Sequence, residues 1–238
     1  MSKPLIEVCV DSAEGLAAAK DGGADRIELC AALSVGGLTP SRGFMEMAVR
    51  SPVPVFAMIR PRDGDFVYAA RDLAVMLADI VAARDAGLAG VVFGANHADG
   101  RLNLSVMRDL VAAAHGMGQT LHRAFDLTPD LDQALEDAIA LGMPRILTSG
   151  GHATAIKGAG ALERLFARAA GRIAIMPGSG INARTMGALR HLPLTEIHAS
   201  CAVATPVEQG AVALGFAGPT RRQTDAAEVR ALHAALAG

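Results

Sequence analysis

Eight short apolar segments, each closing on polar or reactive side chains and most followed by a stretch of helical periodicity, set the narrowest limit on what this chain can become. They are Leu5 to Val10, Arg26 to Cys30, Val55 to Arg60, Gly90 to Gly94, Gln119 to Phe125, Arg145 to Ser149, Ile173 to Pro177 and Glu196 to Ser200. Strand-then-helix units repeated eight times in one chain predict an α/β protein, a single-domain (β/α)8 TIM barrel over residues 1–238. The length of 238 residues agrees, since such barrels run to roughly 250.

Helical partners follow the strands. Ser12 to Gly22 carries Leu16 among alanines, with Asp11 or Ser12 available to cap its first amides and Gly22-Gly23 to stop it. Asp72 to Ala86 places Leu73, Met76, Leu77 and Ile80 at spacings of three and four, and Gly87 follows. Pro40 to Arg50 offers a shorter helix entered through Thr39-Pro40. Leu104 to His115, Leu131 to Leu141, Leu162 to Ala170, Arg184 to His191 and Ala226 to Leu236 complete the set. Ala202 to Thr224 reads as irregular and is long for a barrel connection, which suits a lid, an extra short helix or a subunit contact.

The core must be aliphatic, because 51% of residues are hydrophobic but only 3% aromatic, with no Trp and one Tyr. A net charge of −2 argues against nucleic acid as a partner. No apolar run approaches the roughly 20 residues that span a bilayer, and the start is too short and polar for a signal peptide, so the expectation is a cytoplasmic protein with no membrane partner. Three cysteines are too few for a disulfide framework and are expected as thiols.

Strand alternation says which side chains meet. Ile6, Val8 and Val10 share one face of the first strand, leaving Glu7 and Cys9 on the other; Ile27 and Leu29 oppose Arg26, Glu28 and Cys30 in the second. The face toward the helices must be apolar, so the polar set is expected inside, joined by Met58, Arg60, Thr120, His122, Thr148, Met176, Glu196 and His198. These lie at or near the carboxyl ends of their strands, where barrels place their sites. If Glu7 and Glu28 pair in register, their backbones sit about 5 Å apart, and Arg60 and His122 are the available compensators. Such a cluster is either a functional site or a buried network that tightens the barrel.

Pro177-Gly178-Ser179-Gly180, with a helix expected from about Asn182, suits an anion, because glycines let amides approach and a helix start adds partial positive charge. Ser200-Cys201 would be its neighbour, and loops after strands seven and eight are a common phosphate position. Gly178, Ser179, Gly180 and Ser200 are therefore phosphate candidates, and Ser149-Gly150-Gly151 could add donors. Cys9 and Cys30 lie on adjacent strands, on the same expected face and near the same end, a soft two-sulfur pair that suits Cu(I) better than a closed zinc site, with Met58, Met176 and His198 as supplements. Buried cysteines also serve simply as small hydrophobes.

The strings Asp25-Arg26-Ile27-Glu28-Leu29-Cys30, Gly36-Gly37-Leu38-Thr39-Pro40-Ser41, Ile59-Arg60-Pro61-Arg62 with Gly64-Asp65-Phe66, His122-Arg123-Ala124-Phe125-Asp126, Leu147-Thr148-Ser149-Gly150 and Ile197-His198-Ala199-Ser200 together resemble the CutC family of copper homeostasis proteins. The resemblance runs from about Ile6 to Ser200. It implies a (β/α)8 barrel, a cytoplasmic location, a homo-oligomer and the handling of Cu(I), with Cys9 and Cys30 at the positions proposed as copper ligands in that family.

An enzyme on the same barrel is the other reading. The lysines are Lys3, Lys20 and Lys157, none at a strand end, which argues against Schiff-base chemistry, and no organic cofactor is expected. Proton transfer or hydrolysis on a small anionic or phosphorylated molecule remains. Glu7 or Glu28 would be the base, His122 the acid, Arg60 and Arg123 anion clamps, and Asp126 the group that orients Arg123 or His122.

Overall fold

A computed structural model describes residues 3–237. Eight parallel strands form the barrel: β1 (Leu5–Val10), β2 (Arg26–Leu29), β3 (Val55–Met58), β4 (Gly90–Phe93), β5 (Gly118–Leu121), β6 (Arg145–Thr148), β7 (Ala174–Pro177) and β8 (Glu196–Ala199). Hydrogen bonding runs β7-β6-β5-β4-β3-β2-β1-β8, and β7 and β8 lie side by side to complete the ring. The outer helices are α1 (Ala13–Gly22), α2 (Arg42–Ala48), α3 (Ala70–Asp85), α4 (Leu104–Ala113), α5 (Leu131–Ala140) and α6 (Ala159–Ala169); α7 (Gln209–Ala213) belongs to a later insertion and α8 (Ala226–Ala237) packs beside α1.

Local chemistry sets these bounds. Ser12 accepts from the amide of Gly15 at the start of α1, and Gly23, at φ +91°, returns its amide to Ala19 and Lys20 at the end. The segment expected as a helix after the seventh strand is instead a four-residue 3₁₀ turn, Met186–Leu189. Gly187 interrupts it, Pro193 follows closely, and the piece is too short to sustain α-helical hydrogen bonding. The fifth strand ends at Leu121, because Arg123–Leu127 coils into a 3₁₀ turn capped by His122.

The segment left irregular by the sequence is a hairpin. Strand β9 (Ala202–Pro206) pairs antiparallel with β10 (Thr220–Thr224), and α7 sits in the connection. Its short, weakly apolar strands carry little periodic signal.

Two apolar layers result. Ile6, Val8, Ile27, Leu29, Val91 and Phe93 face outward into the main core beneath the helices, while Cys30, Phe56, Met58 and Val92 form a separate cluster inside the barrel. Phe56 fills the interior because β4 and β5 present Gly90 and Gly118 beside its ring. Arg145 and Leu147, not Thr148, face inward from β6; Thr148 turns its hydroxyl to Asp126 at 2.5 Å.

Candidate functional site

The register of β1 against β2 decides which charges meet. Glu7 stands opposite Arg26, and Cys9 opposite Glu28. The expectation that Glu7 and Glu28 face each other in register is therefore corrected by a two-residue stagger, the kind of shear that closing a barrel demands. Arg26 and His198, rather than Arg60 and His122, compensate Glu7. Arg26 ion-pairs with Glu7 and reaches Glu196 at 2.5 Å; Arg145 meets the same Glu196 oxygen at 2.6 Å. The guanidinium carbons of Arg26 and Arg145 lie 5.2 and 5.7 Å from the Phe56 ring centroid. This buried network was not assigned from sequence, although alternation had put Arg26 inside.

One layer toward the carboxyl ends, the chemistry changes. His198 Nδ1 is 2.8 Å from Glu7 Oε1, its Nε2 is 3.8 Å from Glu28 Oε2, and donor atoms of Cys9, Glu28 and His198 all lie within 4.8 Å of one another. Burial favours the neutral form of Glu7, but the His198 hydrogen bond and the Arg26 charge outweigh it and hold the carboxyl at about 2. Glu28 is raised instead: burial, with the Glu7 charge beside it, outweighs the His198 charge and the Cys30 hydrogen bond. Burial works against a charged His198, yet Glu28 and the other acceptors around the ring carry its pKa well above the ordinary value. Glu28 Oε1 is buried without a hydrogen-bond partner among the described residues.

Cys30 lies outside this trio. Its thiol donates to Glu28 Oε2 at 3.5 Å and is enclosed by the Phe56, Met58 and Val92 cluster. Burial first, then the Glu28 charge, pushes that thiol well above its usual value. Cys201 sits at the end of β8 at φ +43°, with its thiol pushed up to about 12, mainly by burial.

Above the trio opens a cavity of about 1440 Å³, walled by Cys9, Glu28, Arg60, His122 and His198 and roofed by residues of the β9–β10 hairpin. Arg60 is buried and gives its hydrogen bonds to the carbonyls of Val35, Gly37 and Gly64 at 2.7, 3.1 and 2.8 Å, with its guanidinium carbon 5.0 Å from the Phe66 ring centroid. His122 Nδ1 accepts from the Ala124 amide at 3.1 Å, and the Phe66 ring packs against it at a tilt, with ring centroids 4.6 Å apart. Burial, then the Arg60 charge, lowers His122 to about 3, so this imidazole is neutral at physiological pH and is poorly suited to the acid role expected of it.

Arg123 and Asp126 hold each other: Arg123 Nε meets Asp126 Oδ2 at 2.7 Å, and Nη2 reaches Ser149 Oγ at 2.7 Å. Asp126 also accepts the amides of Ser149 and Gly151, so a carboxylate of the chain itself already occupies the donors expected from the sixth loop. After β7, the amide of Gly178 bonds to Thr148, and Ser179 Oγ donates to Ala153 at 2.8 Å. Ser179 and Gly180 both adopt φ +74°, and their amides have no partner among the described residues. The helix start expected to strengthen this loop is replaced by the 3₁₀ turn. Ser179, Gly180 and Ser200 line the cavity, whereas Gly178 packs against Leu147 and His198.

Residues 4–203 match the model of the CutC family. The chain belongs to the CutC family. A relative from Sinorhizobium medicae, named as family protein CutC, is 58% identical over 238 residues, covering 99% of this chain and 97% of that protein. Another from Rhizobium meliloti strain 1021 is also 58% identical, with the same coverage. Among solved structures, a candidate copper homeostasis protein CutC from Streptococcus agalactiae superposes with a TM-score of 0.79 at 30% identity, covering 83% of this chain and 98% of that one. The CutC family match ends just after β9 begins, so most of the hairpin and all of α8 lie beyond it.

Proposed function

We propose that this CutC-family chain handles copper by binding one Cu(I) ion at the base of the barrel cavity, with Cys9 Sγ and His198 Nε2 as soft donors and Glu28 beside them. The observation that carries this reading is the convergence of Cys9, Glu28 and His198 within 4.8 Å. Thiolate and imidazole suit Cu(I), and a histidine whose second nitrogen is held by a carboxylate is the usual arrangement of a metal-bound imidazole. The unpartnered Glu28 Oε1 fits the same reading, since a cation would satisfy it. Cys30, the other sulfur expected from the family resemblance, would act from one step back by orienting Glu28 through its S–H. Copper is cargo in this account, and the reading includes a cytoplasmic location and homo-oligomeric assembly.

The test is anaerobic titration of reduced protein with Cu(I) against a competing chelator. Wild type should compete, Cys9→Ala and His198→Ala should lose competition, and Cys30→Ala should retain most of it. Equal uptake by the Cys9→Ala variant and wild type would reject the site.

A further inference from the structure

We propose that the mouth of the cavity binds a small organic oxyanion, a phosphate monoester or carboxylate of metabolite size, on a wall separate from the Cys9, Glu28 and His198 trio. The inference does not depend on copper. A bare ion needs only a fraction of about 1440 Å³, and pockets for small organic ligands run from roughly 300 to 1,000 Å³.

Two buried donors on this wall lack acceptors among the described residues. His122 accepts the Ala124 amide at Nδ1, which leaves the proton on Nε2, and that Nε2–H has no partner. Arg60 Nε is likewise unpartnered, and the guanidinium has no carboxylate within ion-pair distance among the described residues. Both side chains are at least nine-tenths buried. A buried full charge facing carbonyls and the Phe66 ring, with no anion beside it, is costly, and an entering oxyanion would supply both the missing acceptor and the counter-charge.

The rim continues the pattern. Arg184, Arg221 and Arg222 line the cavity and make no salt bridge among the described residues. Among the described residues, the Arg222 side chain bonds only to the Ala202 carbonyl and the Arg221 side chain only to Gln223. The free amides of Ser179 and Gly180 also line the cavity. Of the acids that share the cavity, Asp126 is taken by Arg123, Glu28 faces the trio, and Asp11 accepts from the Leu33 amide; Glu228 stands on α8. Arg221 and Arg222 come from the hairpin that lies beyond the family match, so the ligand's outer end would be read by a part of the chain that the family pattern does not include.

Chelator-treated, metal-free protein at low ionic strength, titrated with inorganic phosphate, citrate and 3-phosphoglycerate while melting temperature and heat of binding are followed, tests this. The expected result is a saturable rise with 3-phosphoglycerate that chloride at equal ionic strength does not produce. Arg221→Gln/Arg222→Gln, a change on the exposed hairpin that leaves the barrel intact, should weaken the apparent Kd tenfold or more. His122→Phe, which keeps a ring against Phe66 but removes the donor, should abolish the response. A response to phosphate without citrate assigns the floor to phosphate, and the reverse assigns it to carboxylate. No saturable response to any of the three, or an unchanged Kd in the arginine double variant, overturns the proposal whatever the copper titration gives.

Discussion

His198 Nδ1 lies 2.8 Å from Glu7 Oε1, and this one contact turns the opposite ring nitrogen toward Glu28 and Cys9. Glu7 thus links the structural network at the base of the barrel to the trio above it. Glu7→Gln should weaken Cu(I) competition by about 10- to 100-fold, the range seen when a carboxylate behind a metal-bound histidine is lost. The same change half-unpairs Arg26 and should destabilise the fold by about 3 kcal/mol, measured by urea denaturation. Unchanged copper affinity in a folded Glu7→Gln protein would remove Glu7 from the account.

Acid should destabilise the metal-free protein through two overlapping titrations that variants can tell apart. His122 is held at about 3, below its ordinary 6.5, so the unfolded chain takes up that proton first and stability falls as pH drops from 6.5 toward 3. Glu7 at about 2 contributes stability that is complete above 4.5 and is lost as pH falls toward 2. Urea midpoints across pH should lose the upper part of the slope in His122→Phe and the lower part in Glu7→Gln. Parallel curves for wild type and both variants would contradict the assignment.

Gly90 makes room for both the barrel backbone and Phe56. A Cβ there would lie 2.6 Å from the Gly118 carbonyl oxygen and 2.6 Å from Phe56 Cζ. Gly90→Ala should cost about 1–3 kcal/mol through forced repacking of the interior, read as a lowered melting temperature. Gly43→Ala, where nothing lies within 4 Å, is the control and should change little or stabilise.

Cys30 and Cys201 should be nearly inert to thiol reagents in the native protein, because both are buried and both thiols are pushed up, Cys201 to about 12. Mass spectrometry after brief alkylation at pH 8 should find both unmodified, and modified once urea unfolds the chain. Rapid native labelling of Cys30 would contradict its enclosure by Phe56, Met58 and Val92.

The barrel was legible because alternation and helical spacing are local. Ile6, Val8 and Val10 announce their face without reference to any other strand, and so place Glu7 and Cys9 inside. Pairing was not legible in the same way. A two-residue stagger preserves every inward residue yet replaces the Glu7–Glu28 pair with Glu7–Arg26 and Cys9–Glu28, so the sequence identifies the members of the site but not its couples. His198 was legible as an inward residue and a supplementary ligand but not as the partner of Glu7, since β8 closes onto β1 from 191 residues away in the chain. The hairpin over Ala202 to Thr224 escaped because short edge strands such as Thr220–Thr224, with two arginines, lack an apolar stripe. Thr148 was misplaced because polarity was followed over alternation: Thr148 shares the outward face of Ile146, where its hydroxyl finds Asp126 from the neighbouring loop.

The most direct test of the copper account is the X-ray absorption spectrum of the Cu(I)-loaded protein, which counts sulfur and nitrogen neighbours of the ion. The trio predicts one sulfur, from Cys9, together with an imidazole nitrogen that disappears in His198→Ala. Two sulfur neighbours, with no change on loss of His198, would contradict it and point instead to the Cys9 and Cys30 pair.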